Sequence, residues 1–406
     1  MKIWLINNYN MLPEHGHLNR NYYLAKYLQK LGHEPVVFVG SHPHNTSLQL
    51  IDGKEKFRVY REDPYPWVLI KTRNYEGSKK SRVISMLEFY HNMKEAAKHF
   101  EKPDAIIGSS AHPLAALSAI RLGKRYRCKG IMEVRDLWPE SIVTYGVLPR
   151  NNPIIKLLYK FEKYLYIHAD SLIFTMENAW QYFEEQGLDK VIPREKVFYV
   201  NNGSDLEEFE FNRNNYTVDD IDLKDESIFK VVYTGSIRRV NNLGRLLDVA
   251  KTVKNPHVRF LIWGDGDELE KLKERVIKEH INNVVFKGSI GKLFIPFITS
   301  QADLNIMHNS PAPVLKYGLS ANKLFDYAAA GKPIFSDFEC GMNPATVFHA
   351  GITYAEDNAE GIAQVIDKFA SMDVSAYQVY CQNARKMAKA YSYENLAKKL
   401  IEVVNS

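Results

Sequence analysis

The chain has 406 residues, 45% of them apolar, with a formal net charge of +5. That length fits two domains of about 150–200 residues each, and that apolar share excludes a disordered chain, while no apolar run reaches the ~18 residues needed to cross a bilayer. Three cysteines, Cys128, Cys340 and Cys381, are too few and too far apart for a disulfide or metal framework, which fits a reducing cytoplasm.

The opening Met1-Lys2-Ile3-Trp4-Leu5-Ile6 turns polar at Asn7-Asn8 too early for a signal peptide and reads as a first buried strand. Short apolar runs predict strands over Lys2–Asn7, Pro35–Val39, Asp104–Gly108, Gly130–Val134, Ser171–Thr175 and Lys196–Val200. Helical spacing predicts helices over Leu18–Leu31, Val83–His99, Pro113–Tyr126, Pro153–His168 and Ala179–Gln186. The polar stretch Asp205–Ser227, rich in turn formers at Asn212-Arg213-Asn214-Asn215, reads as a linker. The alternation then restarts, with strands expected over Lys230–Thr234, Arg259–Trp263, Val284–Lys287, Asp303–Met307, Pro333–Ser336 and Ile352–Tyr354. Helices fall between them, including the charged Glu268–Glu279, and two more follow Ala376, ending at Val404. This is an α/β chain of two parallel, doubly wound sheets. It predicts a cleft between two halves, with ligands at the C-terminal ends of the strands.

Charge is uneven. Residues 1–205 carry 29 Lys+Arg against 22 Asp+Glu, a balance of +7, which leaves 24 against 26, or −2, for the rest. Part of the excess sits at Lys71-Thr72-Arg73 and Lys79-Lys80-Ser81-Arg82. It reads either as a solvated loop or as attraction to an anionic surface, membrane phosphates or an acidic acceptor. No nucleic-acid recognition module is visible, so nucleic acid is not an expected partner.

The most informative run is Ser320-Ala321-Asn322-Lys323-Leu324-Phe325-Asp326-Tyr327-Ala328-Ala329-Ala330-Gly331-Lys332-Pro333. Lys323 and Asp326 share a helix face. A Lys near a helix N-terminus can meet a phosphate, and an Asp one turn on can accept hydrogen bonds from ribose hydroxyls. Gly331-Lys332 is followed by Pro333, which rules out a P-loop. Tyr233-Thr234-Gly235-Ser236-Ile237-Arg238-Arg239 puts two arginines past a strand end, where a guanidinium fork suits a diphosphate or simply caps a loop. Leu261-Ile262-Trp263-Gly264-Asp265-Gly266 is a strand and a tight turn, but Leu269 stands where a dinucleotide fingerprint needs glycine. Asp265 and Asp267 fit turn chemistry better than a metal site.

In the first half, Glu14-His15-Gly16-His17 follows the first strand, where Gly16 allows close approach of backbone to a ligand or serves an ordinary turn. Glu133-Val134-Arg135-Asp136-Leu137-Trp138-Pro139-Glu140 concentrates charges beside a Trp-Pro pair, as a site or as a local salt-bridge network. Ser109-Ser110-Ala111-His112-Pro113 offers His112 as a helix-entry residue or an acceptor contact, with no Ser–His–acid triad. The Lys-striped helix Ile154–Leu165 reads as core cover with snorkelling lysines, or as an interfacial helix.

Taken together, the chain resembles glycosyltransferase family 4 enzymes of the GT-B fold, nearest to the bacterial surface-polysaccharide branch. The resemblance is carried over nearly the full length. It rests on Glu14-His15-Gly16 with Arg20, Leu31-Gly32-His33-Glu34, Glu133–Ser141, Val200-Asn201-Asn202-Gly203-Ser204-Asp205, Tyr233–Ser236, Gly264-Asp265-Gly266 and Asn322–Pro333. It implies two Rossmann-like domains facing across a cleft. Residues 1–205 would bind the acceptor and residues 206–390 the nucleotide sugar, with a last helix over about 391–406 packing back on the first domain. It implies a retaining transferase that moves a hexosyl or N-acetylhexosaminyl group from a nucleotide diphosphate sugar, expected to be a UDP-sugar, to a polysaccharide or lipid-linked glycan, without a metal or other cofactor. Gly16, Gly235, Arg238, Arg239, Gly264, Lys323 and Asp326 would hold the donor. His15, Arg20 and His112 would meet the acceptor, and Arg135, Asp136 and Glu140 are the catalytic candidates.

Two departures qualify the resemblance. Where the family often carries two Glu separated by seven residues, Gly318 and Asp326 stand here, and Asn241-Asn242 occupy the stretch of a frequent Lys. The alternatives are a sugar-nucleotide epimerase and a catalytically degenerate partner subunit. The expected location is the cytoplasm, peripheral to the inner face of the plasma membrane.

Overall fold

A computed structural model describes residues 1–16, 19–44, 46–61, 64–110 and 112–406. The chain divides into two units, Met1–Asn201 with Tyr393–Ser406, and Asn202–Ser392.

The first unit is built on eight strands: β1 (Lys2–Ile6), β2 (Glu34–Gly40), β3 (Phe57–Arg61), β4 (Trp67–Ile70), β5 (Ala105–Ser109), β6 (Lys129–Val134), β7 (Leu172–Phe174) and β8 (Val197–Tyr199). They form one sheet in the order β3-β4-β2-β1-β5-β6-β7-β8. All pairs are parallel except β3 with β4. The order reverses between β1 and β5, which makes that edge a crevice-forming switch point. The helices are α1 (Arg20–Lys30), α2 (Lys79–Ala96), α3 (Pro113–Tyr126), α4 (Glu140–Thr144), α5 (Pro153–His168) and α6 (Ala179–Gln186). Trp4, Ile6, Phe38, Val68, Ile106, Phe89 and Met93 form a core between sheet and helices.

Two of these strands escape the sequence reading. β3 is an exposed edge strand whose Arg58, Val59 and Tyr60 face solvent, so it lacks a buried face to betray it. β4 is a four-residue run after Pro64 and Pro66, short enough to read as a loop. The helix expected from Val83 starts at Lys79, because the Ser78 hydroxyl accepts the Ser81 N–H and caps it. The helix expected from Leu18 is described from Arg20; His17, Leu18 and Ala111 of the predicted motifs lie outside the described residues.

The second unit contains α7 (Leu206–Asn215), α8 (Ile221–Lys224), β9 (Phe229–Thr234), α9 (Leu243–Thr252), β10 (Val258–Trp263), α10 (Leu269–Lys278), β11 (Val284–Gly288), α11 (Ile295–Gln301), β12 (Leu304–Met307), α12 (Asn322–Ala329), β13 (Ile334–Ser336), α13 (Pro344–Val347), β14 (Gly351–Thr353), α14 (Ala359–Ala370) and α15 (Val374–Ala390). Its parallel sheet runs β11-β10-β9-β12-β13-β14, with the switch between β9 and β12. Val231, Tyr233, Phe260 and Ile262 join one core, while Val232, Leu261 and Trp263 join the other. Both sheet faces are therefore covered, which is why these strands read as continuous apolar runs.

The predicted linker is a correction. Asp205 accepts the Glu208 N–H and Asp220 accepts those of Asp222 and Leu223, so the polar residues cap α7 and α8 inside the second unit. The last helix, α16 (Tyr393–Asn405), belongs to the first unit. It buries Leu396, Leu400 and Val403, and Tyr393 stacks on Tyr23 of α1 at 4.8 Å.

Candidate functional site

In the second unit, three loops converge at the C-terminal ends of β9, β10 and β12. Gly235 and Gly264 have φ of +153° and +151°, and a Cβ on Gly264 would lie 1.7 Å from the Gly235 carbonyl oxygen. Only glycine lets these turns stack backbone on backbone. The turn is tied down by Gly235 N–H to Trp263 O at 3.0 Å and Gly264 N–H to Gly288 O at 2.8 Å.

Lys323, in the first turn of α12, reaches over this floor. Its Nζ donates to Tyr233 Oη at 3.1 Å and lies 4.2 Å from the Tyr233 ring centre. A Cβ added at Gly235 would come within 2.9 Å of it. No carboxylate pairs with Lys323 among the described residues. Desolvation lowers its ammonium to about 8, despite the opposing pull of Asp337. Tyr327 fixes the helix: the Thr234 N–H donates to Tyr327 Oη at 2.9 Å, tying α12 to the end of β9. Asp326 is half-buried on the same helix, and desolvation pushes its carboxyl up to about 6, with Lys292 opposing.

Arg238 and Arg239 lie exposed on the turn after Gly235, with no carboxylate partner among the described residues. That turn is held from below by a pair the sequence reading missed. His308 and Asp337 follow β12 and β13, are fully buried, and join through His308 Nδ1. His308 Nε2 donates to Asn242 O at 3.0 Å. Each residue stands one position past a strand end, a signal that becomes legible only once β12 and β13 are known to be neighbours. Gly318, at the position of the missing acid, is buried, with its N–H on Leu315 O at 3.0 Å.

In the first unit the predicted residues separate. Arg20 is 2% exposed. Its Nε donates to Glu133 at 2.8 Å, Nη1 to Asn201 O at 2.6 Å and Nη2 to Val200 O at 2.7 Å. Burial pushes the Glu133 carboxyl up, but Arg20 and Arg135 outweigh it and hold it below its usual range. Arg20 is thus a buried clamp between the ends of β6 and β8. Glu140 is also buried; Arg150 Nη2 lies 2.6 Å from each of its oxygens, and Tyr159 Oη donates to it at 2.6 Å. Both of its oxygens face protein donors. Arg135 is half-buried and Asp136 exposed on the turn after β6.

Behind Glu140 lies Glu162, also buried, accepting from Tyr166 at 2.9 Å and Tyr182 at 2.8 Å. Desolvation raises its carboxyl to about 8. His112 is fully buried and caps α3, its Nδ1 accepting the Ala115 N–H at 3.1 Å. Desolvation drops its ring to about 3, so it is neutral with its proton on Nε2. His15 is half-buried, its Nε2 3.2 Å from Tyr60 Oη. A Cβ on the adjacent Gly16 would meet Met11 Sδ at 2.3 Å. Among the described residues no group of three or more His, Cys, Asp or Glu side chains could hold a metal ion, and no helix is long and apolar enough to cross a membrane.

Residues 16–208, most of the first unit and the start of the second, match the sequence model described as Glycosyltransferase Family 4, and residues 228–371 of the second unit match Glycosyl transferases group 1. A curated relative, the probable glycosyltransferase WbjE of Pseudomonas aeruginosa, is 23% identical over 253 residues. That match spans 61% of this chain and 61% of WbjE, so the chain covers about three fifths of that relative's length. Two solved structures share the fold over the whole chain. Sucrose-phosphate synthase from Thermosynechococcus elongatus has a TM-score of 0.70 at 15% identity, covering 98% of that structure. Anabaena HepE in complex with UDP has a TM-score of 0.69 at 14% identity, covering 100% of that structure. Both units therefore have the doubly wound architecture of GT-B proteins.

Proposed function

Because the chain belongs to glycosyltransferase family 4, we propose that it transfers a sugar from a nucleotide diphosphate sugar to a glycan acceptor in polysaccharide synthesis. The observation that carries this reading is Lys323: an ammonium without a carboxylate partner among the described residues, seated on the glycine floor at the switch point of the second sheet. In this proposal Lys323, Arg238 and Arg239 face the diphosphate, the loop backbone at Gly235 and Gly264 approaches it closely, and Asp326 accepts from the ribose hydroxyls. As the sugar–phosphate bond breaks, negative charge grows on the leaving diphosphate. Fixed cations aimed there lower the barrier without rearranging. We assign this charge stabilisation to the three side-chain cations rather than to a divalent metal.

A UDP-sugar donor, a hexosyl or N-acetylhexosaminyl group, a lipid-linked acceptor and retention at the anomeric carbon are the finer terms of the same proposal. UDP in the HepE complex supports the base. Arg135 and Asp136 remain the proposed acceptor-side residues. The family matches do not favour the epimerase alternative. Calorimetry with UDP tests the donor site: we expect Lys323→Ala to weaken binding at least tenfold, and unchanged affinity would overturn it. Anomeric coupling constants of the product, read by NMR, test retention. Tight UDP binding with no transfer from any donor would instead favour the degenerate-subunit reading, which Gly318 motivates.

We further propose peripheral attachment to an anionic membrane face through α5, in place of the Lys71–Arg82 stretch. Lys71 donates to Gly53 O and Arg73 pairs with Glu88 at 2.7 Å. The outward face of α5 carries Ile154, Leu157, Tyr164 and Ile167 beside Lys156, Lys160 and Lys163, all exposed. Apolar residues flanked by lysines suit an anionic bilayer surface.

A further inference from the structure

We propose that the first unit holds a subsite for a sugar carrying an oxyanion, at the C-terminal edge of β4, β2, β1 and β5, with Arg82 of α2 as the anion contact. This rests on the transferase reading and names the acceptor chemistry within it. The four strands are neighbours in the sheet and flank its switch point. Each sends polar residues past its end: Thr72 and Tyr75 after β4, His42 and His44 after β2, Asn7 to Tyr9 after β1, and Ser110 and His112 after β5.

Aromatic and imidazole rings build a wall there. Tyr9 lies 4.8 Å from His44 and 6.0 Å from His112 between ring centres, and His42 meets Tyr75 edge-on at 4.7 Å. His44 Nδ1 is 2.8 Å from Tyr75 Oη. Arg82 Nε donates to Tyr9 Oη at 3.2 Å, and its guanidinium stands 5.4 Å over the Tyr9 ring. Arg82 is exposed and has no carboxylate partner among the described residues.

Beneath this cation the wall is buried yet incompletely bonded. Asn7 Nδ2, Asn8 Oδ1, Thr72 Oγ1, Ser110 Oγ and His112 Nε2 all lack partners among the described residues. The His112 proton is the clearest case, because Nδ1 is already committed to Ala115. Buried polar groups are normally satisfied, and unpaired ones clustered at one strand edge call for an explanation. Donors and acceptors among aromatic rings match the hydroxyls and faces of a sugar ring, and the guanidinium fork matches a phosphate or carboxylate on it.

The test is ligand-observed saturation-transfer NMR on the full chain with UDP at saturation, using glucose 1-phosphate, galacturonate and methyl glucoside as probes. We expect one or both charged probes to bind at least fivefold better than methyl glucoside, the preferred one identifying the oxyanion as phosphate or carboxylate. Arg82→Ala should reduce that binding at least fivefold while UDP affinity by calorimetry is unchanged, and unaltered hydrogen-exchange protection of β1 and α3 shows that the first unit of the variant folds. His44→Ala should weaken the charged probes too. Equal binding of all three probes, or indifference to Arg82→Ala, would overturn the subsite. If UDP binds and no probe does, the subsite falls alone; if UDP itself fails to bind, the transferase reading falls first.

Discussion

Lys323 titrates near the pH at which it is asked to hold a phosphate. With its ammonium lowered to about 8 by desolvation, the unliganded protein carries the charge below that pH and loses it above. UDP affinity should therefore fall by up to tenfold per unit above pH 8. Lys323→Arg, which stays charged, should remove the dependence, as a calorimetric pH series will show. Glu162 is moved by the same cause, burial, but as an acid it shifts upward. Its folded-state value of about 8 lies above the ordinary 4.5, so the folded protein holds a proton the unfolded chain releases. Its stabilising contribution is complete below 4.5 and is lost as pH rises toward 8. Urea unfolding of Glu162→Gln should show a shallower decline across that window. Arg20 shows what residue type conceals. Among glycines and histidines it looks like a ligand contact, but its three donors close a buried clamp. Arg20→Leu should cost about 3–5 kcal/mol in urea unfolding by stranding Glu133. Glu140 is engaged in the same way: a carboxylate in a charged motif cannot announce that Arg150 and Tyr159 face it.

Elements were legible where periodicity and burial agree. The two-sided apolar strands β9 and β10 stand out because both faces are covered, whereas edge strand β3 has no such pattern. The acidic stretch before β9 looked like a linker because capping residues and turn residues are the same residues; only the hydrogen bonds of Asp205 and Asp220 separate the two roles. The donor-side contacts were partly readable. Lys323 and Asp326 share a helix face in any register, but the meeting of Lys323 with Gly235 depends on which strands lie side by side. α5 carries its own prediction. Leu157 is 65% exposed, so Leu157→Glu should change stability by no more than about 0.5 kcal/mol. It should nevertheless abolish co-sedimentation with anionic vesicles, and binding that survives in low salt would place membrane attachment elsewhere.

At the scale of the whole molecule, strand–helix alternation announced two doubly wound sheets, while the strand orders and the assignment of the last helix needed the fold. α16 packs on α1, with Tyr393 against Tyr23, and buries Leu396, Leu400 and Val403. Deleting residues 393–406 should thus loosen the first unit and spare the second. Hydrogen exchange should report lost protection in α1 with β9 unchanged, and uniform loss in both would contradict this division.

That return of the chain also sets a clock during synthesis. Residues 202–392 must all be translated before α16 can dock. At ribosomal rates of roughly 5–20 residues per second, α1 waits on the order of ten to forty seconds with its apolar face uncovered. The nascent first domain then shows apolar surface that the finished protein covers. Slow codons placed before residue 393 should lower soluble yield without changing one amino acid.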